Sequence, residues 1–100
     1  MPRFVLTYHH PVGYTPSADS AGPWMAWFDS MGDQLVDIGQ PVASAAALGN
    51  CGSGTELGGY SLISAPDLQA ALAIAKGCPH LTGDGGVQVG ELTAVPARAS

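Results

Sequence analysis

Basic side chains are scarce in this chain. Its 100 residues include three Lys or Arg against eight Asp or Glu, and the formal net charge at pH 7 is −5. A protein that binds nucleic acid neutralises phosphates with clustered Lys and Arg side chains. We therefore expect no nucleic-acid partner.

Cysteine and long apolar runs are equally limited. Cys51 and Cys78 lack the Cys-x-x-Cys spacing of a structural zinc site, so we expect reduced thiols, no metal and no cofactor. No apolar run reaches the roughly 18 residues that a transmembrane helix needs, and the first apolar run, residues 4–6, is too short for a signal-peptide core. We therefore expect a cytoplasmic protein without a membrane partner.

The fraction of charged residues is also low. It is 11%, whereas about 25% is usual in a soluble domain. Because 46% of the residues are hydrophobic, part of the surface must be neutral or apolar, and such a surface usually marks an interface. We expect the partner to be a second copy of the chain in a two-fold homodimer. The alternative is a monomer coated with Gly, Ala and Ser.

The first half of the chain predicts one strand and one long helix. Residues 3–8 combine apolar, aromatic and β-branched side chains, which favours a strand, and two prolines and a glycine predict a loop over residues 9–16. From Ser20, apolar residues recur at three- and four-residue steps, which predicts a core-facing helix that ends before Gly39. The apolar stripe of this helix comprises Trp24, Trp27, Phe28, Met31, Leu35 and Ile38.

Two further strands follow the first helix. Residues 42–48 predict a second strand with weak propensity, and residues 59–63 predict a third strand with alternating side chains. A glycine-rich turn over residues 49–55 joins the two. This turn lacks the Gly-Lys-Ser/Thr ending of a phosphate-binding loop, so we interpret it as a hairpin connection.

A second helix and a fourth strand complete the chain. Pro66 and Asp67 favour the start of a helix, and Gly77 ends it. Residues 87–95 alternate with period two, which predicts the fourth strand. The predicted buried stripe of the second helix comprises Leu68, Ala71, Leu72 and Ala75.

The element order is therefore β-α-β-β-α-β in a single domain, residues 1–100. Right-handed crossovers close this order into an α+β ferredoxin-like fold, a four-stranded antiparallel sheet with both helices on one face. The other face of the sheet is open, and we expect the sheet of a second copy to cover it. The predicted core comprises Phe4, Leu6, Trp27, Met31, Leu35, Leu62, Leu68, Leu72 and Val89.

Several short motifs of the chain occur together in one known family. They are Leu35-Val36-Asp37-Ile38-Gly39 with Pro41, Gly59-Tyr60-Ser61, Lys76-Gly77-Cys78-Pro79-His80-Leu81 and Val87-Gln88-Val89. With the Pro-Asp helix they span nearly the whole chain, which resembles the YCII-related (YciI-like) family. The resemblance implies a dimeric α+β barrel whose cleft holds a His-Asp pair. Asp37 matches the family's aspartate, and the family's histidine early in the first helix has no counterpart here.

Histidine supplies the candidate catalytic groups. A neutral imidazole is the usual proton-transfer group near pH 7, and it needs an acidic neighbour to orient it. His9 leaves the end of the first strand and His80 leaves the end of the second helix, so both can face the mouth of the cleft near Asp37. We expect one of them to pair with Asp37, which would raise the pKa of the imidazole. Trp27 and Tyr60 are the candidate substrate-binding residues.

These residues also have ordinary structural interpretations. His9 and His10 can be solvated loop residues, and His80 can cap carbonyl groups at the end of the second helix. A helix C-terminus disfavours a thiolate, so Cys78 is expected to be a buried apolar residue. We expect a protein that binds a small cyclic or aromatic organic molecule and moves a proton on it, as an isomerase, lyase or dehydrochlorinase does. The alternative is a non-catalytic dimeric module that binds a small molecule or another protein.

Overall fold

The computed structural model describes residues 1–14, 21–52 and 54–95. Its helices and strands are β1 (Arg3–Pro11), α1 (Ala21–Met31), β2 (Leu35–Pro41), β3 (Thr55–Ser64), α2 (Leu68–Ala75) and β4 (Gly86–Glu91). The four strands form one antiparallel sheet in the order β2-β3-β1-β4. The predicted α+β class and the ferredoxin-like order of elements are confirmed.

β1 is one of the two central strands, and its side chains distinguish the two faces of the sheet. Side chains alternate between the faces of a strand, and Phe4, Leu6 and Tyr8 are buried, whereas Val5 and Thr7 are only partly buried. The helices cover the face to which Phe4, Leu6 and Tyr8 point. The face that carries Val5 and Thr7 is called the open face below.

Both helices pack on the same face of the sheet. Trp27 of α1 and Ala71 of α2 belong to one buried cluster. The indole Nε1 of Trp27 donates a hydrogen bond of 3.1 Å to the carbonyl oxygen of Ile74, which ties α1 to α2. The buried core comprises Phe4, Leu6, Tyr8, Trp27, Met31, Ile63, Ala65, Ala71, Ala75 and Cys78.

The first helix ends at Met31, so the predicted end at Ile38 is wrong. Gly32 adopts a φ of 58°, a left-handed conformation that glycine tolerates best and that commonly ends helices. One turn of 3-10 helix follows, and the chain then enters β2. Leu35 therefore packs against the core from the sheet. The predicted helix start at Ser20 lies outside the described residues.

The second strand also differs from its prediction. β2 occupies Leu35–Pro41, whereas residues 42–48 form no helix or strand and are nearly all exposed. Strand pairing decides this placement, because β2 aligns Leu35 with Ile63 of β3. Gly39 lies in β2 with a φ of 73°, and a Cβ there would overlap the carbonyl oxygen of Tyr60. Position 39 therefore requires glycine because β2 and β3 approach closely there, and not because a helix ends there.

Other strand boundaries shift by a few residues. β1 continues to Pro11, so His9 and His10 belong to the strand and not to the predicted loop, of which residues 15 and 16 lie outside the described residues. β3 begins at Thr55, within the predicted turn, whose Ser53 also lies outside the described residues. β4 ends at Glu91, and residues 92–95 are exposed.

Three predicted core residues are wrong. Leu68 and Leu72 are 42% and 39% exposed, because α2 turns Ala71 and Ala75 towards the sheet instead. Leu62 pairs with a residue of the open face, Val5, and is only partly buried there. The predicted core residues Phe4, Leu6, Trp27 and Met31 are buried, and Leu35 and Val89 pack against the core.

Candidate functional site

A cleft of about 740 Å³ lies between α1 and the adjoining ends of β1 and β3. The end of β2 and residues 42–45 form its remaining side. Antiparallel pairing brings the last residues of β1 beside the first residues of β3, which opens the cleft at this end of the sheet. Its aromatic lining consists of Tyr8, Tyr14, Trp24, Phe28 and Tyr60.

Trp24 is at the centre of the aromatic wall. Its ring lies edge-to-face against Tyr8, with centroids 4.7 Å apart, and edge-to-face against His80, with centroids 4.9 Å apart. Phe28 lies one helical turn further along α1, with its ring centroid 5.8 Å from that of Trp24. Edge-to-face pairs are the favoured arrangement of aromatic rings, so these contacts hold the wall in one geometry.

The Lys-Gly-Cys-Pro-His run explains how His80 reaches the cleft. Gly77 packs so tightly on Trp27 that a Cβ there would lie 2.8 Å from the indole ring. Cys78 is buried at the start of a 3-10 turn, and Pro79 occupies the first position of that turn. The turn directs His80 towards α1, where its ring meets Trp24 and lines the cleft.

His10 is the second histidine of the cleft. Its ring centroid lies 5.0 Å from that of Tyr14 and 6.3 Å from that of His80. The Nδ1 atom lies 3.1 Å from the carbonyl oxygen of Pro11, which can only accept, so Nδ1 carries a proton and donates this hydrogen bond. Gly58 gives the ring its space, because a Cβ there would lie 2.5 Å from the His10 Cδ2 atom.

The environment of His80 favours its neutral form. Burial lowers the pKa of His80 below its ordinary value of 6.5, and the neighbouring His10 and then His9 lower it further, because like charges repel. The imidazole is therefore uncharged at neutral pH. A neutral imidazole in a cleft can accept a proton from a bound molecule.

Glu56 supplies the only carboxyl group that lines this cleft among the described residues. It stands directly opposite His10 in the pairing of β1 with β3. The Cβ atoms of directly opposite residues lie about 4.5–5.5 Å apart, so the carboxylate and the imidazole are neighbours on the same face. The acidic group of this cleft thus comes from β3 and not from the end of the first helix.

A smaller cavity of about 500 Å³ adjoins the cleft. His10, Tyr14 and His80 line both spaces and form the wall between them. Thr82 and Asp84 line the far side of the smaller cavity. The two histidines can therefore be approached from either space.

A hydrogen-bonded chain fixes the floor of the cleft. The hydroxyl of Tyr8 donates to the hydroxyl of Ser61 at 2.8 Å, and Ser61 donates to the carbonyl oxygen of Ile38 at 2.7 Å. Burial is the main cause that raises the pKa of Tyr8 to about 12, so the phenol remains a donor. The chain joins β1, β3 and β2, and it holds the β2 side of the cleft in place.

The structure separates the predicted catalytic residues. His80 lies in the cleft, whereas His9 points to the open face, where its Nε2 atom lies 2.9 Å from the hydroxyl of Thr7. Asp37 lies on the edge strand β2 and accepts a hydrogen bond of 2.8 Å from the backbone N–H of Gly39. The predicted rise in pKa is wrong for His80, whose pKa is lowered.

Strand register shows that Asp37 and His9 are far apart. Asp37 aligns with Leu62 of β3, and Leu62 aligns with Val5 of β1, two strand spacings away. His9 is a further four residues along β1. With strand spacings near 4.8 Å and a rise near 3.4 Å per residue, the separation of the Cα atoms is about 17 Å. The structure therefore does not bring this predicted pair together.

The two predicted substrate-binding residues have different places. Tyr60 borders the cleft beside the close approach of Gly39, but it pairs with Thr7, so its side chain belongs to the open face. Trp27 is 8% exposed and belongs to the core, where it contacts Ile74 of α2. Its neighbour one helical turn earlier, Trp24, takes the cleft position instead.

The alternation of β1 contains the signal that identifies His10. Tyr8 and His10 have the same parity as the buried residues Phe4 and Leu6, so a strand that continues to Pro11 places His10 on the helix side. The prediction of a loop from His9 onward hid this relationship. Glu56 then follows from the pairing of β3 with β1, which the sequence alone does not specify.

Cys78 is not a candidate nucleophile. The side chain is 2% exposed, and burial is the main cause that raises the pKa of its thiol. Among the described residues, no three His, Cys, Asp or Glu side chains are grouped so that they could hold a metal ion. In that same part of the chain, neither helix has the length and apolarity needed to span a bilayer.

Comparisons with known proteins yield no relative. No model of a known protein family matches the chain. No curated protein and no solved structure matches it either.

Proposed function

We propose that this protein binds a small cyclic or aromatic organic molecule in the cleft and that His80 transfers a proton on it. The observation that carries the proposal is the position of His80, which lines the cleft with its ring against Trp24 and with a lowered pKa. Aromatic walls favour a flat ligand, and a cleft of about 740 Å³ lies within the usual range for small-molecule sites.

The chemistry requires only the neutral imidazole. His80 takes a proton from a carbon of the ligand, and the electron pair of the broken C–H bond shifts into the π system of the ligand. Return of the proton to another carbon completes an isomerisation. Departure of a group from the neighbouring carbon completes an elimination, as in a lyase or a dehydrochlorinase. The imidazole of His10 lines the same cleft and is a second candidate for proton transfer.

The test uses a set of cyclic enones, phenols, aromatic carboxylates and benzylic amines. Binding is detected by saturation-transfer NMR, and the C–H signals of each binder are then followed in D₂O. We expect at least one binder to exchange a carbon-bound proton, and His80→Asn to slow this exchange by about 100-fold or more. Leu81→Ala is the matched control, because Leu81 lies in the same 3-10 turn, is exposed and does not line the cleft.

A non-catalytic binding module is the second candidate. It is favoured by the position of Asp37, which the structure leaves on β2 with its carboxylate bonded to its own strand. Ligands that bind without proton exchange would support this candidate and contradict catalysis. Absence of any binder would contradict both.

We also propose that the protein forms a homodimer through the open face, as a cytoplasmic member of the YCII-related family. Support for the dimer comes from the exposed apolar side chains of the strands, which include Val36 and Leu57.

Support for the family comes from the Lys-Gly-Cys-Pro-His run, which here positions His80. Support for the cytoplasm comes from the free thiols of Cys51 and Cys78, since reduced cysteines are usual there.

A further inference from the structure

The lining of the cleft has one sign of charge. Among the described residues that line it, Glu56 is the only acidic side chain, and no Lys or Arg is present. Glu56 is partly buried and stands opposite His10, whose imidazole lines the same end of the cleft. A carboxylate and an imidazole therefore meet at one end of the cleft.

The basic side chains of the described residues lie elsewhere. Arg3 begins β1, and at about 3.4 Å per residue it lies roughly 24 Å along the strand from His10. Lys76 is exposed at the C-terminal end of α2. An anionic ligand would therefore find no counter-charge from these residues in the cleft and would face the Glu56 carboxylate.

Aromatic faces provide the second part of the argument. Tyr8, Tyr14, Trp24 and Phe28 line the cleft, and the face of an aromatic ring carries negative electrostatic potential. Organic cations bind between such faces, and the attraction strengthens when water is excluded. The net charge of −5 adds a long-range field of the same sign.

We propose that the ligand of this cleft is an organic cation, with a protonated or quaternary nitrogen attached to a small ring. This inference rests on the proposed function, because it names the class of molecule that the same cleft binds. The nitrogen lies at the end that contains Glu56 and His10, and the ring lies against Trp24 and Phe28. A positive charge on the ligand also makes its C–H bonds more acidic, which suits the neutral imidazole of His80 as the base.

Three molecules of similar shape and different charge test the proposal. Benzylammonium, benzyl alcohol and benzoate are titrated at pH 7.5 into ¹⁵N-labelled protein, and the indole N–H signals of Trp24 and Trp27 report binding and its location. We expect benzylammonium to bind at least about tenfold more tightly than benzyl alcohol, with benzoate weakest. The signal of Trp24 should move, while that of the core residue Trp27 should change little.

Two variants separate the carboxylate from the aromatic wall. Glu56→Gln should remove most of the preference for benzylammonium while leaving the affinity for benzyl alcohol within about twofold. Glu91→Gln is the matched control, because Glu91 is exposed on β4 and outside the cleft. Phe28→Leu keeps an apolar surface but removes a ring face, so it should weaken the cation more than the alcohol.

The outcomes distinguish this inference from the proposed function. Equal binding of the three molecules, or tightest binding of benzoate, would overturn the preference for a cation and leave a small-molecule site in place. A preference for benzylammonium that survives Glu56→Gln would overturn the role of Glu56. Failure of all three to bind at millimolar concentration would contradict both the cation site and the proposed binding function.

Discussion

The hydroxyl of Tyr8 donates a buried hydrogen bond of 2.8 Å to the hydroxyl of Ser61. This bond crosses from the central strand β1 to β3, and Ser61 extends it by donating to the carbonyl oxygen of Ile38 in the edge strand β2. Ile38 and the residues that follow it line the cleft. The hydrogen-bonded chain at the floor of the cleft therefore fixes one wall of the candidate site.

We predict that Ser61→Ala destabilises the protein more than Tyr8→Phe does. Tyr8→Phe removes one hydrogen bond, which costs about 1 kcal/mol, whereas Ser61→Ala leaves the buried Tyr8 hydroxyl without its acceptor, at a cost of about 1–3 kcal/mol. Urea unfolding followed by circular dichroism measures both. In the double variant the two costs should not add, and strict additivity would show that the hydroxyl groups do not interact.

A second prediction concerns the space around His10. Gly58→Ala should displace the His10 ring, because the added Cβ would lie 2.5 Å from the Cδ2 atom. The ring signals of His10 and of its neighbour Tyr14 should shift in the NMR spectrum. Gly22→Ala is the control, since a Cβ at that helical position meets open space and should leave these signals unchanged.

The titration of His80 provides a third prediction. Its imidazole should titrate below 6.5, and His10→Asn should raise its pKa towards that value by removing a like charge. NMR titration measures both. Since the folded pKa lies below the unfolded one, the unfolded chain binds more protons between the two values, so this group's contribution to stability is complete above about 6.5 and is lost as the pH falls towards the folded pKa. An unchanged His80 titration in His10→Asn would contradict the coupling.

The open face provides a fourth prediction. Light scattering after size exclusion should report about twice the chain mass of 10.1 kDa. Leu62→Lys introduces a charge on the open face and should shift the protein towards the monomer, because an unpaired charge is costly in an interface. Leu72→Lys places the same change on the exposed side of α2 and should leave the mass unchanged. A wild-type monomer at micromolar concentration contradicts the dimer.

The orientation of α2 provides a fifth prediction. Leu72 is 39% exposed, so Leu72→Ala should cost less than about 1 kcal/mol. Ala71 is fully buried, so Ala71→Leu should cost about 1–3 kcal/mol through overpacking. Thermal unfolding of the two variants compares them. The reverse order would mean that α2 is rotated relative to the sheet.

Part of the candidate site could be predicted from the sequence. The Lys-Gly-Cys-Pro-His run indicated that His80 follows a helix and can face a cleft, and the structure has His80 after α2 with its ring against Trp24. The carboxyl group next to His10 could not be predicted, because Glu56 lies opposite His10 only through the pairing of two strands that are far apart in the chain. Asp37 was expected near the histidines because it was predicted to lie at the end of the first helix. That helix ends at Met31, so Asp37 lies in β2 instead.

The sequence by itself determined the elements whose signals are local. The apolar, aromatic and β-branched residues of β1, the Pro66-Asp67 start of α2 and the glycine that follows this helix act within a few residues, so the order β-α-β-β-α-β could be predicted. Only the tertiary structure decided where β2 lies, which side of α2 is buried and which histidine enters the cleft. These outcomes depend on contacts such as Leu35 with Ile63 and Trp27 with Ile74, whose partners are distant in sequence and become neighbours only when the sheet and helices pack.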